Sequence, residues 1–150
     1  MPDDYTRLNI GDVCPSFDWR TTDNEQVIVG PDKGRIMLLH FFILTCPHCR
    51  KSLHRLELMQ DSLVDRPGFM MVSVGRGHTA DELGEYKAAD HSRLRMVPDP
   101  DRNIYRTFAE RKVPRFYLFD RDGKLVHQVR GYNESELHEL FRNASVLLGE

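Results

Sequence analysis

Ile36-Met37-Leu38-Leu39-His40-Phe41-Phe42-Ile43-Leu44-Thr45-Cys46-Pro47-His48-Cys49 joins a nearly unbroken apolar run to a C-x-x-C pair. The stretch from Ile36 to Phe42 lacks polar alternation, the pattern of a strand covered on both faces. A helix is expected to start directly after it. Pro47 suits the first helical position, where a missing amide costs nothing. Leu53, Leu56, Met59 or Gln60, and Leu63 then follow at helical spacing. The first cysteine therefore ends a buried strand-loop unit and the second enters a helix.

Reading outward from this unit, residues 1–25 are polar and turn-rich, with an apolar patch of Val13, Phe17 and Trp19 expected to lie on the domain as an N-terminal arm. Gln26 to Val29 is a short edge-strand candidate. Downstream, Pro67-Gly68 stops the helix and Phe69 to Val74 forms the next strand. Thr79 and Glu82 have capping-box spacing for a helix through about Asp90. Leu94 to Val97 is a short strand and Asp101 to Phe108 a short helix. Arg115 to Phe119 and Leu125 to Val129 form a hairpin around Asp122-Gly123. Asn133 and Glu136 repeat the cap spacing before a last helix with Leu137, Leu140, Phe141, Ala144 and Leu148 on its apolar side. Helices intercalated with apolar strands predict an α/β fold, a central mixed β-sheet flanked by helices on both faces.

The 150 residues suffice for one domain. A formal net charge of −2, from 21 basic and 23 acidic side chains, gives no reason to expect nucleic acid as a partner. No stretch approaches the ~20 apolar residues that span a bilayer, so no membrane insertion is expected. Residues 1–10 carry no apolar targeting segment; the chain is either cytoplasmic or what remains after a leader is removed.

With only three cysteines, at 14, 46 and 49, a disulfide-stapled scaffold is excluded and a structural zinc site lacks a fourth ligand. At a helix start, amides without internal carbonyl partners present partial positive charge. They favour a thiolate on Cys46, while Cys49, one turn inside, is the less exposed resolving thiol. His48 adds donor or positive character beside Cys46 and should make the disulfide easier to reduce. Cys14 reads as a buried small residue. No metal, flavin or nucleotide cofactor is implied.

The chain resembles the thioredoxin-like superfamily, most closely extracytoplasmic thiol–disulfide oxidoreductases of the cytochrome-maturation type. The resemblance rests on Gly11-Asp12-Val13-Cys14-Pro15-Ser16-Phe17, the Phe41 to Cys49 segment, Val113-Pro114-Arg115-Phe116-Tyr117-Leu118, Asp122-Gly123-Lys124 and Gly131. It implies a thioredoxin fold with an N-terminal extension: a flexible arm over 1–10 and a single domain over 11–150. It also implies a periplasmic setting, a monomer, and partners that are protein thiols or disulfides and a second redox protein. By the same resemblance Pro114 should be cis, with the Val113 main chain shaping a groove for an extended substrate.

Some residues depart from that pattern. Thr45 replaces the family's usual Trp, and Ser52 stands where some relatives carry a Glu that assists the resolving thiol. His40 occupies the place of a buried Asp in thioredoxins, leaving two roles open: proton acceptor for Cys49, or core residue bonded to a backbone carbonyl. A non-catalytic interaction module and a peroxiredoxin-like peroxidase are the alternative functions.

Overall fold

All seven residues of the apolar run are buried in a strand, β3 (Ile36–Phe42). It pairs in parallel with β4 (Phe69–Arg76) and antiparallel with β6 (Arg115–Phe119). A parallel β5 (Met96–Asp99) and an antiparallel β7 (Leu125–Arg130) complete a five-stranded sheet in the order β5-β4-β3-β6-β7. This computed structural model describes residues 6–31, 34–63 and 66–149, with 60–63 as backbone only. Met1–Tyr5 of the expected arm, and the Gln60 and Leu63 side chains of the expected stripe, lie outside the described residues.

The pleat explains why β3 shows no polar alternation. Ile36, Leu38 and Phe42 face one apolar cluster, with Leu53 and Leu56 of α1 (Pro47–Leu63), Leu83 of α2 (Ala80–Asp90), and Leu137 and Leu140 of α4 (Glu134–Leu147). Met37, Leu39 and Phe41 face the other, with Tyr105 and Phe108 of α3 (Asn103–Phe108). Both faces are thus sealed by apolar side chains, and the fold is the thioredoxin fold anticipated from the sequence.

Several local expectations need correction. Phe17–Arg20 is not irregular arm but a strand, β1, pairing antiparallel with β2 (Gln26–Val29) in a separate two-stranded sheet. Gln26–Val29 is therefore no edge of the central sheet. Trp19, Val27 and Val29 cover the α3 side of the core, whereas Val13 is 53% exposed and makes an isolated bridge to Lys124. β5 begins later than Leu94 and includes Pro98, which an edge strand tolerates. α3 starts at Asn103, because Asp99 accepts the amides of Ile104 and Tyr105 at 3.0 and 2.9 Å. In the β6–β7 turn, Asp120 Oδ1 accepts from the amides of Asp122 and Lys124, both at 3.0 Å. Gly123 there has φ 79°, and a Cβ would stand 2.3 Å from Pro31 Cα, so both backbone and space require glycine.

The N-terminal region runs along the sheet margins. The Arg7 amide donates to Phe108 O, and Leu8 is buried. Gly11 and Asp12 exchange main-chain hydrogen bonds with Leu125, and the Cys14 amide donates to Gly123 O. At the opposite margin the Thr22 amide donates to Met96 O at 3.0 Å. Among the described residues, no helix is long and apolar enough to cross a membrane.

Candidate active site

Cys46 stands immediately before α1, its carbonyl accepting the Arg50 amide at 3.0 Å as the first hydrogen bond of the helix. Pro47 is the first helical residue, as its fixed φ and missing N–H favour. The first turn of α1 holds no acidic residue, so no carboxylate opposes a thiolate there. Cys46 is half-buried, Pro47 and His48 are exposed, and Cys49 has no exposed surface.

Both thiols are free. Burial, foremost, pushes the Cys49 thiol up to about 12, and the neighbouring Cys46 acts in the same direction. The Ile43 main chain and the charge of Arg76 work the other way. Cys49 is thus the protonated, protected thiol at neutral pH, and Cys46 is the one with surface open to solvent. Cys14 is distant in sequence and buried in the cluster on the α3 side of the sheet. Its desolvation raises its thiol to about 12 despite the charge of Arg35, which suits a core residue.

The Val113–Pro114 peptide bond is cis. The Pro114 carbonyl accepts the Gly131 amide at 2.7 Å, which ties this loop to the end of β7. The neighbouring Lys112 carbonyl accepts from Tyr105 Oη at 2.6 Å and from Arg115 Nε at 3.0 Å. Arg115 is itself fully buried. Val113 and Cys46 both pack on the apolar cluster that contains Cys49.

His40 is fully buried beneath α1, stacked on Phe116 at 4.7 Å and on Phe42 at 5.6 Å between ring centroids. Its partners are not a backbone carbonyl but two buried serines, Ser73 Oγ at 3.0 Å from Nδ1 and Ser52 Oγ at 2.8 Å from Nε2. Ser52 has one proton, and it donates that proton to the Cys49 carbonyl at 2.6 Å. Ser52 Oγ must then accept from His40 Nε2–H, which leaves Nδ1 to accept from the Ser73 hydroxyl. Desolvation holds the imidazole down to about 3, so the ring is neutral. The nitrogen turned toward α1 is therefore a donor. The register that pairs His40 with Ser73 across β3 and β4 depends on tertiary structure, and Ser52 stood out in the sequence only as a missing Glu. Among the described residues, no group of three or more His, Cys, Asp or Glu is arranged to hold a metal ion.

A dithiol at the start of the helix that follows the central strand of a thioredoxin fold defines a thiol–disulfide oxidoreductase. The AhpC/TSA family matches residues 10–128, most of the chain, and the protein belongs to that family. It is 27% identical over 93 residues to the thiol-disulfide oxidoreductase YkuV of Bacillus subtilis, an alignment covering 60% of this chain and 63% of that one. It is also 18% identical over 130 residues to the thiol-disulfide oxidoreductase ResA of Bacillus thuringiensis subsp. konkukian, covering 87% of this chain and 75% of the relative. Among solved structures it is similar to a Bacteroides thetaiotaomicron protein assigned provisionally as a protein disulfide isomerase. That match has a TM-score of 0.91 and 26% identity, over 97% of this chain and 94% of the other.

Proposed function

We propose that this protein exchanges disulfides with protein substrates outside the cytoplasm, as a monomeric single domain over residues 11–150. The asymmetry of the two thiols carries the reading: Cys46 is accessible at a helix start, and Cys49 is buried against it. The Cys46 thiolate attacks a substrate disulfide and displaces one substrate sulfur as a thiolate. Cys49 then loses its proton and attacks the Cys46 sulfur, closing the Cys46–Cys49 disulfide and releasing the second substrate sulfur as a thiol. Two electrons pass from the dithiol to the substrate, and a partner dithiol protein returns them. The reverse sequence oxidises a substrate dithiol.

Val113 and Pro114 shape the groove that receives an extended segment, and His48 tunes the reactivity of Cys46 from the exposed side of the first turn. His40 is a positioning residue, since its Nε2–H is directed to Ser52 and so to the Cys49 carbonyl. The extracytoplasmic setting is supported by resemblance to oxidoreductases of that kind. A resolving thiol one turn from the attacking thiol supports dithiol exchange over peroxide reduction.

Insulin reduction with a dithiol donor tests this. Cys46→Ala abolishes turnover, whereas Cys49→Ala starts exchange and accumulates mixed disulfides visible on non-reducing gels. Trapping by Cys46→Ala and not by Cys49→Ala would reverse the order of attack. Wild-type protein inactive in both reducing and oxidising assays would make it an interaction module.

A further inference from the structure

Leu44, two residues before Cys46, has both its polar main-chain groups held by side chains. Its amide donates to His78 Nε2 at 2.9 Å, and its carbonyl accepts from Arg50 Nε at 2.7 Å. The adjacent Ile43 carbonyl accepts the Cys46 amide at 3.5 Å, and the Ile43 main chain is among the influences that hold the Cys49 thiol down. Residues 43 and 44 thus connect both thiols to a clamp.

Both sides of the clamp rest on α2. The His78 side chain is 12% exposed and its Nδ1 lies 3.4 Å from Glu82 Oε2. Glu82 is itself fixed by a capping box, accepting the Thr79 amide through Oε1 at 2.9 Å while Thr79 Oγ1 accepts the Glu82 amide at 3.2 Å. Because His78 Nε2 accepts from an amide, the ring proton is on Nδ1, where the carboxylate receives it. On the other side, the Arg50 guanidinium stands over the ring of Tyr86, one turn further along α2, at 5.6 Å from its centroid.

We propose that His78 is a positioning residue for thiol–disulfide exchange, holding the Leu44 amide as a neutral acceptor oriented by Glu82, so that α2 sets the position of both thiols. This rests on the redox reading above. A backbone hydrogen bond that fixes a nucleophile's loop acts on rate, because reacting atoms must be held within a narrow geometry. Gln is the informative replacement, since its Oε1 reaches the place of Nε2 and accepts a hydrogen bond there. Leu fills the space and accepts nothing.

The test compares His78→Gln and His78→Leu in the reduced protein, using the rate of Cys46 reaction with an aromatic disulfide and the Cys46–Cys49 potential against glutathione. His78→Leu is expected to slow the reaction roughly 3- to 10-fold, the range of one lost hydrogen bond, and to shift the potential. His78→Gln is expected to stay within about twofold of wild type, far less than the loss of that bond. His78→Leu equal to wild type in both readouts overturns the proposal, as does His78→Gln impaired as much as His78→Leu. Imidazole ¹⁵N shifts of the wild-type protein test it independently of whether the variants fold. An Nδ1–H tautomer with a hydrogen-bonded Nε2 supports the clamp, and an Nε2–H tautomer overturns it. Should wild-type Cys46 fail to react with any disulfide, the redox reading falls while the tautomer still decides the clamp.

Discussion

His40 and His78 both lie against the ring of Phe42, at 5.6 and 6.3 Å between centroids, yet their Nε2 atoms take opposite parts. His40 Nε2 donates to Ser52, inside a core where its neighbours are two hydroxyls and two aromatic rings. His78 Nε2 accepts from a backbone amide at the rim, with a carboxylate behind it. The partners decide the tautomer: a serine whose proton is already committed demands a donor, and an amide demands an acceptor. One residue type thus supports the buried thiol from below and the exposed thiol's loop from the side, through different electrostatics. Removing water around His40 suppresses its charge, whereas the carboxylate beside His78 orients a neutral ring.

The largest effect that separates the two regions is expected from His40→Leu. It leaves the buried Ser73 hydroxyl without its acceptor and costs about 2–4 kcal/mol at pH 7, read from urea unfolding. That gap should narrow on acidification. The unfolded imidazole takes up its proton near the ordinary ~6.5, but the folded ring does so only near about 3. Wild type therefore loses stability as pH falls from ~6.5 toward 3, by at most about 1.4 kcal/mol per pH unit, and His40→Leu lacks this contribution. A gap unchanged between pH 7 and 4.5 would mean that the folded ring is charged, and His40 could then not accept from Ser73 as a neutral ring.

A smaller effect is expected between the two rings. Gly75 pairs with Phe42 across β3 and β4, and a Cβ there would meet Leu83 Cδ2 at 2.7 Å and His78 Cβ at 3.4 Å. Gly75→Ala should cost about 1–3 kcal/mol by overpacking, measured by thermal unfolding. No loss would show that Leu83 moves aside freely. The smallest effect belongs to Thr79→Ala, which removes the cap of α2 beside His78 for about 1 kcal/mol. It should leave the acid dependence set by His40 unchanged, and an altered dependence would couple the two regions.

The sequence was most legible where the physics is local. The run Ile36–Phe42, the helix start at Pro47 and the capping box of Thr79 with Glu82 each follow from a few adjacent residues, and the structure has all three. The pair Cys46 and Cys49 was legible for the same reason. β1 was not, because four residues with only Trp19 fully buried carry little signal until β2 pairs with them. Pro98 hid the true extent of β5, since proline reads as a strand breaker unless the strand is known to be an edge. His78 gave no signal at all beyond its place before a helix cap. Its partner Leu44 is separated from it by α1 and β4, and only the parallel β3–β4 pairing brings them together.

The stretch from Arg7 to Thr22 also bears on the open borders of the central sheet. A sheet whose outer strands keep unpaired amides and carbonyls recruits other chains and grows into aggregates. Here the main chain of Gly11, Asp12 and Cys14 engages the β7 side at Leu125 and Gly123, while Thr22 engages β5 at Met96. One continuous segment therefore blunts both margins of the same sheet. A chain trimmed to the smallest span carrying β3 to α4 would keep its two thiols, but it would present open borders. Without Leu8, Trp19, Val27 and Val29 it would also uncover the apolar α3 side of the sheet, so it is expected to lose solubility.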